Sequence, residues 1–231
     1  MCPACGCGDT KLVPVELHER LLADNDRTAS HNRAHLALHR ILAVNLMGSP
    51  GAGKTALLEA TARAIGTSRR LAAITGDLET DRDAVRLRAA GISAEAITTG
   101  SACHLDADMV HHALHRGALR EADTLFIENV GNLVCPTSYD LGEHAKIVVL
   151  SVTEGEDKPL KYPSIFAVSE LCIINKIDLL PYVPFDLGRA LANVRQVHPG
   201  MAVVQTSCTK REGLDGWLQW VEKRRVQAMA E

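Results

Sequence analysis

A mostly parallel α/β sheet flanked by helices is predicted by three observations in this 231-residue chain. Short apolar runs recur at residues 41–47, 71–75, 96–98, 124–127, 147–150, 171–174 and 203–206. Stretches of helical pattern separate them, and aromatic residues make up only 3 % of the chain, so the core has to be aliphatic and alanine-rich. Alternating strand and helix builds a parallel sheet covered on both faces, because each crossover helix buries its apolar stripe against the sheet it spans. A chain of this size buries one full α/β core, and nothing in it requires a second large domain.

From the amino terminus, residues 1–14 combine Cys2, Cys5 and Cys7 with Pro3, Gly6 and Gly8, have no periodicity, and read as a flexible, cysteine-rich, metal-binding arm. Residues 15–40 read as a leading helix docked on the main domain, with Leu17, Leu21 and Leu22 near helical spacing and a break near Asn25. His18, His31, His35 and His39 along it read as a solvated face. Residues 41–231 form the main domain. Its first strand runs into Gly48-Ser49-Pro50-Gly51-Ala52-Gly53-Lys54-Thr55, which matches G-x-x-x-x-G-K-[ST], and a helix begins at Ala56. Strand, glycine loop and helix in that order make a phosphate-binding loop and the chain a P-loop NTPase. The glycines let backbone N–H groups converge on a phosphate. Lys54 adds a point charge, and the Thr55 hydroxyl can ligate Mg²⁺ at a helix N-terminus whose dipole favours anions.

Ligand chemistry is expected at the carboxyl ends of the strands, and the remaining motifs all follow strands. Asn175-Lys176-Ile177-Asp178 has the N-K-x-D form that reads guanine: the Asp178 carboxylate accepts from guanine N1–H and the exocyclic amine, whereas adenine would leave it unpaired. Ser207 lies in a second base-side segment, Thr206-Ser207-Cys208-Thr209-Lys210-Arg211-Glu212-Gly213. This resembles the S-A-K-x-G-E-G loop of GTPases, with Thr209 where lysine is usual. Glu128 ends a strand and is followed by Asn129-Val130-Gly131, so it is the expected metal-contacting acid, with Gly131 near the γ-phosphate. The acidic segment from Asp77 to Asp83 reads as a switch loop, and spacing leaves both Asp77 and Asp83 open as the carboxylate that closes on magnesium. No glutamine or arginine presents itself as a finger, so intrinsic turnover should be slow.

Cysteine usage carries the second chemistry. Cys2-Pro3-Ala4-Cys5-Gly6-Cys7 places three thiolates at a chain end, enough to wrap a soft metal, and with a free amine the set suits square-planar Ni²⁺. Cys103-His104 and Cys135 both follow strand ends on the nucleotide side; brought together they offer two sulfurs and a nitrogen, and a two-fold partner could double the set across an interface. A switch that moves Gly131 should then drag Cys135. Cys172 and Cys208 are assigned to packing and loop.

With 25 Lys+Arg against 28 Asp+Glu the net charge is −3, which gives no basic footprint for nucleic acid. The absence of any run of about 20 apolar residues, or of a signal-like start, makes a membrane span unexpected and a cytoplasmic location expected.

With these motifs in hand, Glu128-Asn129-Val130-Gly131-Asn132-Leu133-Val134-Cys135-Pro136 and Cys103-His104-Leu105-Asp106-Ala107 among them, the sequence resembles, over essentially its whole length, the HypB family, GTPases that assist nickel insertion into [NiFe]-hydrogenase. The resemblance implies a fold of the dimerising P-loop GTPase type that binds GTP and GDP, a GTP-linked homodimer, and a tight nickel site at Cys2, Cys5 and Cys7. It also implies a nickel- or zinc-holding interfacial site at Cys103, His104 and Cys135, and as partners the small zinc protein HypA and the hydrogenase large subunit. Urease-maturation GTPases share the layout but not the cysteine-bearing terminus. The chain lacks the long histidine-rich tract of some relatives, which tells against bulk nickel storage. Two other classes fit parts of the pattern: a P-loop small-molecule kinase, which the N-K-x-D loop opposes, and a metal-storage module, which would need neither Lys54 nor Asp178.

Overall fold

The structure, a computed structural model, describes residues 15–116, 119 and 121–230. The cysteine-rich arm expected at residues 1–14, with Cys2, Cys5 and Cys7, lies outside the described residues. Each of the seven apolar runs is a strand: β1 (Leu42–Gly48), β2 (Leu71–Asp77), β3 (Ser93–Thr98), β4 (Thr124–Glu128), β5 (Ala145–Ser151), β6 (Leu171–Asn175) and β7 (Ala202–Thr206). They form a single sheet of order β3-β2-β4-β1-β5-β6-β7 in which every pairing is parallel. The helices are α1 (Val15–Leu38), α2 (Lys54–Ile65), α3 (Arg82–Ala89), α4 (Ala107–Leu114), α5 (Lys158–Lys161), α6 (Pro163–Ala167), α7 (Leu187–Val197) and α8 (Leu214–Ala228).

The strand order positions the site. β1 pairs with β4 on one side and β5 on the other, so the chain departs from β1 toward β2 beyond β4 and later extends the sheet past β5. Loops therefore diverge above the carboxyl end of β1, the switch point at which open α/β sheets hold ligands. Register sets the details: Leu46 of β1 lies opposite Glu128 of β4, and Gly48 opposite Val149 of β5.

Alternation along the strands divides the core. Leu42, Val44 and Leu46 of β1 pack on one face with Leu57 and Leu58 of α2, Leu87 of α3 and Trp217 of α8. On the other face Ala43 packs with Leu36 of α1 and Val110 of α4, and Met47 with Phe166 of α6 and Val194 of α7. Trp217, fully buried, closes the first face. Its ring lies 6.0 Å from that of Phe126, and its indole N–H donates to Thr61 Oγ1 at 2.8 Å.

The leading helix differs from expectation in one respect: α1 runs unbroken through Asn25. The side chain that would disrupt a helix by bonding to its own backbone is engaged elsewhere. Asn25 Nδ2 donates to the Asp140 carbonyl at 2.8 Å and Oδ1 accepts from the Ala107 amide at 2.9 Å. One helical stretch on, buried Asn32 donates to the carbonyls of Ala107 and Leu141 at 2.8 and 3.1 Å. These bonds and the Arg33–Asp140 ion pair seat α1 on α4 and on the loop before β5. No helix among the described residues is long and apolar enough to cross a membrane.

Because Trp217 is fully buried between α8, α2 and β4, Trp217→Ala should cost about 3–5 kcal/mol of stability. Urea unfolding followed by circular dichroism measures it, and a loss below about 1 kcal/mol would contradict this packing.

Candidate nucleotide site and thiol–imidazole cluster

The loop between β1 and α2 wraps the amino end of α2. Gly53 has φ 97°, a left-handed conformation, and a Cβ there would lie 2.3 Å from Asn175 Nδ2, so only glycine serves. Lys54 folds back into the loop: its ammonium, with the residue 7 % exposed, donates to the carbonyls of Gly48 and Ser49, both at 3.3 Å. Burial lowers its pKa, against the opposing pull of Glu128 and Asp83. A cleft of about 740 Å³ opens beside it, lined among others by Pro50, Gly51, Thr55, Ala56, Asp77, Asp83, Glu128 and Gly131.

At the floor of this cleft the Thr55 hydroxyl lies 2.8 Å from both Glu128 Oε1 and Asp83 Oδ1. β4 delivers Glu128 and the first turn of α3 delivers Asp83. Glu128 is 4 % exposed; burial, reinforced by the nearby Asp83 charge and opposed by Lys54, pushes its carboxyl up to about 7. Its Oε2 has no hydrogen-bonding partner. A buried, hydrogen-bonded hydroxyl between two carboxyl oxygens, one of them with an orphaned neighbour, is the hard-oxygen donor set that a small divalent cation suits. Asp77 is placed otherwise. Its Oδ1 accepts from the Glu79 and Thr80 amides at 3.0 and 2.9 Å, which lowers its pKa and shapes the acidic loop, and it makes no bond to Thr55. The sequence did not single out Arg86, which lines the same cleft and makes a two-pronged ion pair with Glu59, both contacts at 3.0 Å; its only signal was helical spacing from Asp83.

A second cavity of about 590 Å³ adjoins the loop, lined by Gly53, Ala56, Arg63, Asn175, Lys176, Asp178, Cys208 and Thr209 among others. Asn175 is structural wiring. It donates to the Ala52 carbonyl at 3.0 Å and accepts from the Lys176 amide, Thr206 Oγ1 and Cys208 Sγ. Lys176, at φ 63°, reaches the Gly51 carbonyl at 2.6 Å. Asp178 Oδ1 is buried without a partner, as a carboxylate kept for a ligand would be. Ser207 is fully buried; its hydroxyl accepts from the Lys210 amide at 3.1 Å, its backbone pairs with Glu212, and Cys208, Thr209 and Arg211 rather than Ser207 line the cavity. Burial raises the Cys208 thiol to about 11 and the Cys172 thiol to about 12, in keeping with structural roles.

The third assembly is the one that spacing pointed to. Ligand atoms of Cys103, His104 and Cys135 lie within 4.8 Å of one another, the only such group of three or more among the described residues. The two sulfurs are 2.7 Å apart, Cys103 Sγ is 3.9 Å from His104 Nδ1, and Tyr139 stacks on the imidazole with centroids 3.9 Å apart. Burial lowers the His104 pKa, favouring the neutral ring. Tetrahedral bonds of about 2.3 Å would set two thiolates about 3.7 Å apart, so seating a metal opens the pair slightly.

This cluster is tied to the nucleotide cleft by asparagines, two of them inside the Glu128–Pro136 run, to which the sequence alone assigned no role of their own. Asn129, next to Glu128, accepts the Leu105 amide at 3.1 Å and donates to Asn45 Oδ1 at 3.3 Å; Asn45 in turn donates to buried Glu143 at 3.1 Å. Asn132 donates to the Cys103 carbonyl at 3.4 Å and its backbone bridges to Gly48. Between them Gly131 packs against Pro50 so closely that a Cβ would come within 2.9 Å of it.

Glu128 gives the site a pH signature. A carboxyl raised from 4.5 to about 7 keeps its proton in the folded chain after the unfolded chain has lost it. Its contribution to stability is therefore greatest below about 4.5, declines as pH rises to about 7 and is level above. The unfolding free energy of the magnesium-free wild type minus that of Glu128→Gln should fall across this window by an amount on the order of a few kcal/mol. A flat difference would show that the carboxyl is not raised.

Comparison with known proteins accords with this geometry. Residues 42–205 match the family model described as the CobW/HypB/UreG nucleotide-binding domain. The chain is similar to the hydrogenase maturation factor HypB of Azotobacter vinelandii, 48 % identical over 220 residues that cover 95 % of this chain and 72 % of the relative. Among solved structures it is similar to HypB of Archaeoglobus fulgidus, with TM-score 0.83, 40 % identity, and 88 % and 100 % of the two chains covered. It is also similar to Helicobacter pylori HypB in complex with nickel, with TM-score 0.84, 38 % identity, and 88 % and 96 % covered. The chain belongs to the CobW/HypB/UreG family, as a P-loop GTPase of the HypB hydrogenase-maturation type.

Proposed function

We propose that this GTPase is a metallochaperone that holds nickel and releases it toward the hydrogenase large subunit under control of its guanine-nucleotide state. The observation that carries the reading is the course of residues 128–135: Glu128 is bonded to the phosphate-loop Thr55 at one end, and Cys135 touches Cys103 at the other. Two stations on one short, hydrogen-bonded segment can feel each other's occupancy without a long relay.

In this reading Gly48, Ser49, Pro50, Gly51, Ala52, Gly53, Lys54, Thr55 and Ala56 cradle the phosphates. Asn175 and Lys176 brace the base cavity and Asp178 reads guanine, while Ser207 supports the base loop from behind. Thr55, Glu128 and Asp83 hold Mg²⁺, and Asp77 keeps the acidic loop in shape. Magnesium supplies charge neutralisation between the phosphate oxygens. Lys54 offers its ammonium to the same oxygens, and the Gly131 amide lies beside Pro50 where a γ-phosphate is sensed. No glutamine lines the cleft among the described residues and Arg86 is held by Glu59, which supports slow intrinsic turnover.

Cys103, His104 and Cys135 supply two sulfurs and a nitrogen and leave a fourth position for water or for a second copy of the chain, which supports a metal-bearing, GTP-linked homodimer. The same donors suit zinc as well as nickel. Cys2, Cys5 and Cys7 form a second, tighter nickel site on the arm. A small zinc protein of the HypA type and the hydrogenase large subunit are the partners, met in the reducing cytoplasm where thiols stay available as ligands.

Two experiments test the reading. Asp178→Asn presents an amide donor where guanine also presents a donor, while xanthine presents a carbonyl there. GDP affinity should fall at least about a hundredfold and XDP should be preferred, as read by fluorescent-nucleotide competition. Unchanged GDP binding would remove Asp178 from base recognition. Asn129→Ala cuts the bond to the loop carrying His104, so the difference in nickel affinity between the GDP and GTP-analogue forms should shrink several-fold in equilibrium dialysis while GDP binding persists. An undiminished difference would place the coupling elsewhere.

A further inference from the structure

Of the histidines expected on a solvated face of α1, His31 and His39 are exposed and His35 is half-buried. His35 lies in the last turn of α1 and His39, whose amide still bonds to the His35 carbonyl at 3.2 Å, just past its end; His111 lies in the last turn of α4, the helix against which α1 packs, and His115 just past its end. The four rings touch in series: His39 to His35 with centroids 4.5 Å apart, His35 to His115 at 5.1 Å, and His115 to His111 at 4.4 Å. Residues four apart share a helix face, so each helix presents a two-imidazole chelating pair, and the two pairs confront each other across the seam.

A separate observation bears on the state of one ring. His111 Nδ1 lies 3.0 Å from Asn32 Oδ1. Asn32 is fully buried and its amide nitrogen already donates to the carbonyls of Ala107 and Leu141, so the side chain cannot turn over and its oxygen has to face the histidine. His111 therefore donates from Nδ1, and its lone pair is fixed on Nε2. Histidine ligands are prepared in this way, by an outer partner that holds one ring nitrogen and leaves the other basic.

We infer that His35, His39, His111 and His115 form a thiol-free site for a divalent transition cation of the nickel, copper or zinc class, distinct from the cysteine-bearing cluster. In the metal-free geometry the four rings form a chain rather than a ring around one point, and rotation of the exposed His39 and His115 side chains closes the set. His104 lies before the first turn of α4 and His115 just past its end, so the two sites are separated by the length of that helix, about 12 Å. A cation held by imidazole alone is bound less tightly and exchanges faster than one held by thiolates, which suits a point of entry.

The test uses the full chain carrying the pair of substitutions His39→Gln and His115→Gln, both at exposed positions. Nickel alone is the probe, in equilibrium dialysis at micromolar concentrations and pH 7.5, with the thiolate-to-nickel charge-transfer absorption and the unfolding midpoint recorded beside it. The inference expects one metal equivalent of the wild type to be lost, or weakened at least about tenfold, with absorption and midpoint unchanged. Equal stoichiometry and affinity in the two proteins would overturn it, as would a lost equivalent that in the wild type binds only at millimolar nickel. Should the pair disturb folding, His115→Gln alone has to weaken the same equivalent, and failure to do so counts equally against the site.

Discussion

Glu128 stands at the end of β4 almost sealed from solvent, bonded through one oxygen to Thr55 and with no partner for the other. A carboxyl group so placed is tolerated neutral, or charged with a cation beside it, and the surroundings offer Lys54 while Asp83 crowds from the other side. Much of the local architecture answers to this constraint. The β1–β4 pairing brings the carboxyl under the phosphate loop, the first turn of α3 brings a second acid to the same hydroxyl, and the cleft above is open enough for a triphosphate.

The chain continuing from Glu128 has little freedom. Asn129 is held by Asn45 and itself holds the Leu105 amide, Gly131 is pressed against Pro50, and Asn132 is bridged to Gly48 and bonded to the Cys103 carbonyl. On the opposite side the Thr99 and Gly100 amides are bonded to the carbonyls of Asp77 and Leu78, at 2.9 and 3.0 Å, so the loop leading to Cys103 is fastened to the acidic loop as well. The thiol–imidazole cluster is thus gripped by both segments that border the phosphate cleft. The two sulfurs that these segments carry lie 2.7 Å apart.

The strands were legible in the sequence because aliphatic residues dominate them, although Asn45, Glu95 and Gln205 interrupt β1, β3 and β7 and only the second half of β3 read as apolar; the phosphate loop was legible because its glycines are required at fixed offsets. What was not legible lay in side-chain bonds to distant parts of the chain. Asn25 reads locally as a helix breaker, yet its partners are Asp140 and Ala107, so α1 continues. Spacing could not choose between Asp77 and Asp83; the fold places one on an Asx turn and the other on the first turn of α3, facing Thr55. Ser207 looked like a contact by analogy, whereas the tight pairing of its loop turns Thr209 and Arg211 to the cavity instead. The nearness of Cys103, His104 and Cys135 was foreseeable from their common position after strand ends. The meeting of His35 with His115 was not, because it depends on how α1 packs on α4.

Binding linkage offers the most direct check on whether the nucleotide cleft and the thiol–imidazole cluster act as one device. The preference of the protein for a non-hydrolysable GTP analogue over GDP should be measured at saturating magnesium, with and without one equivalent of zinc or nickel, in a form whose arm cysteines are replaced by serine. The account expects metal to shift that preference by about 5- to 150-fold, and the nucleotides to shift metal affinity by the same factor, since coupling free energy is reciprocal. An identical preference with the cluster filled and empty would contradict it.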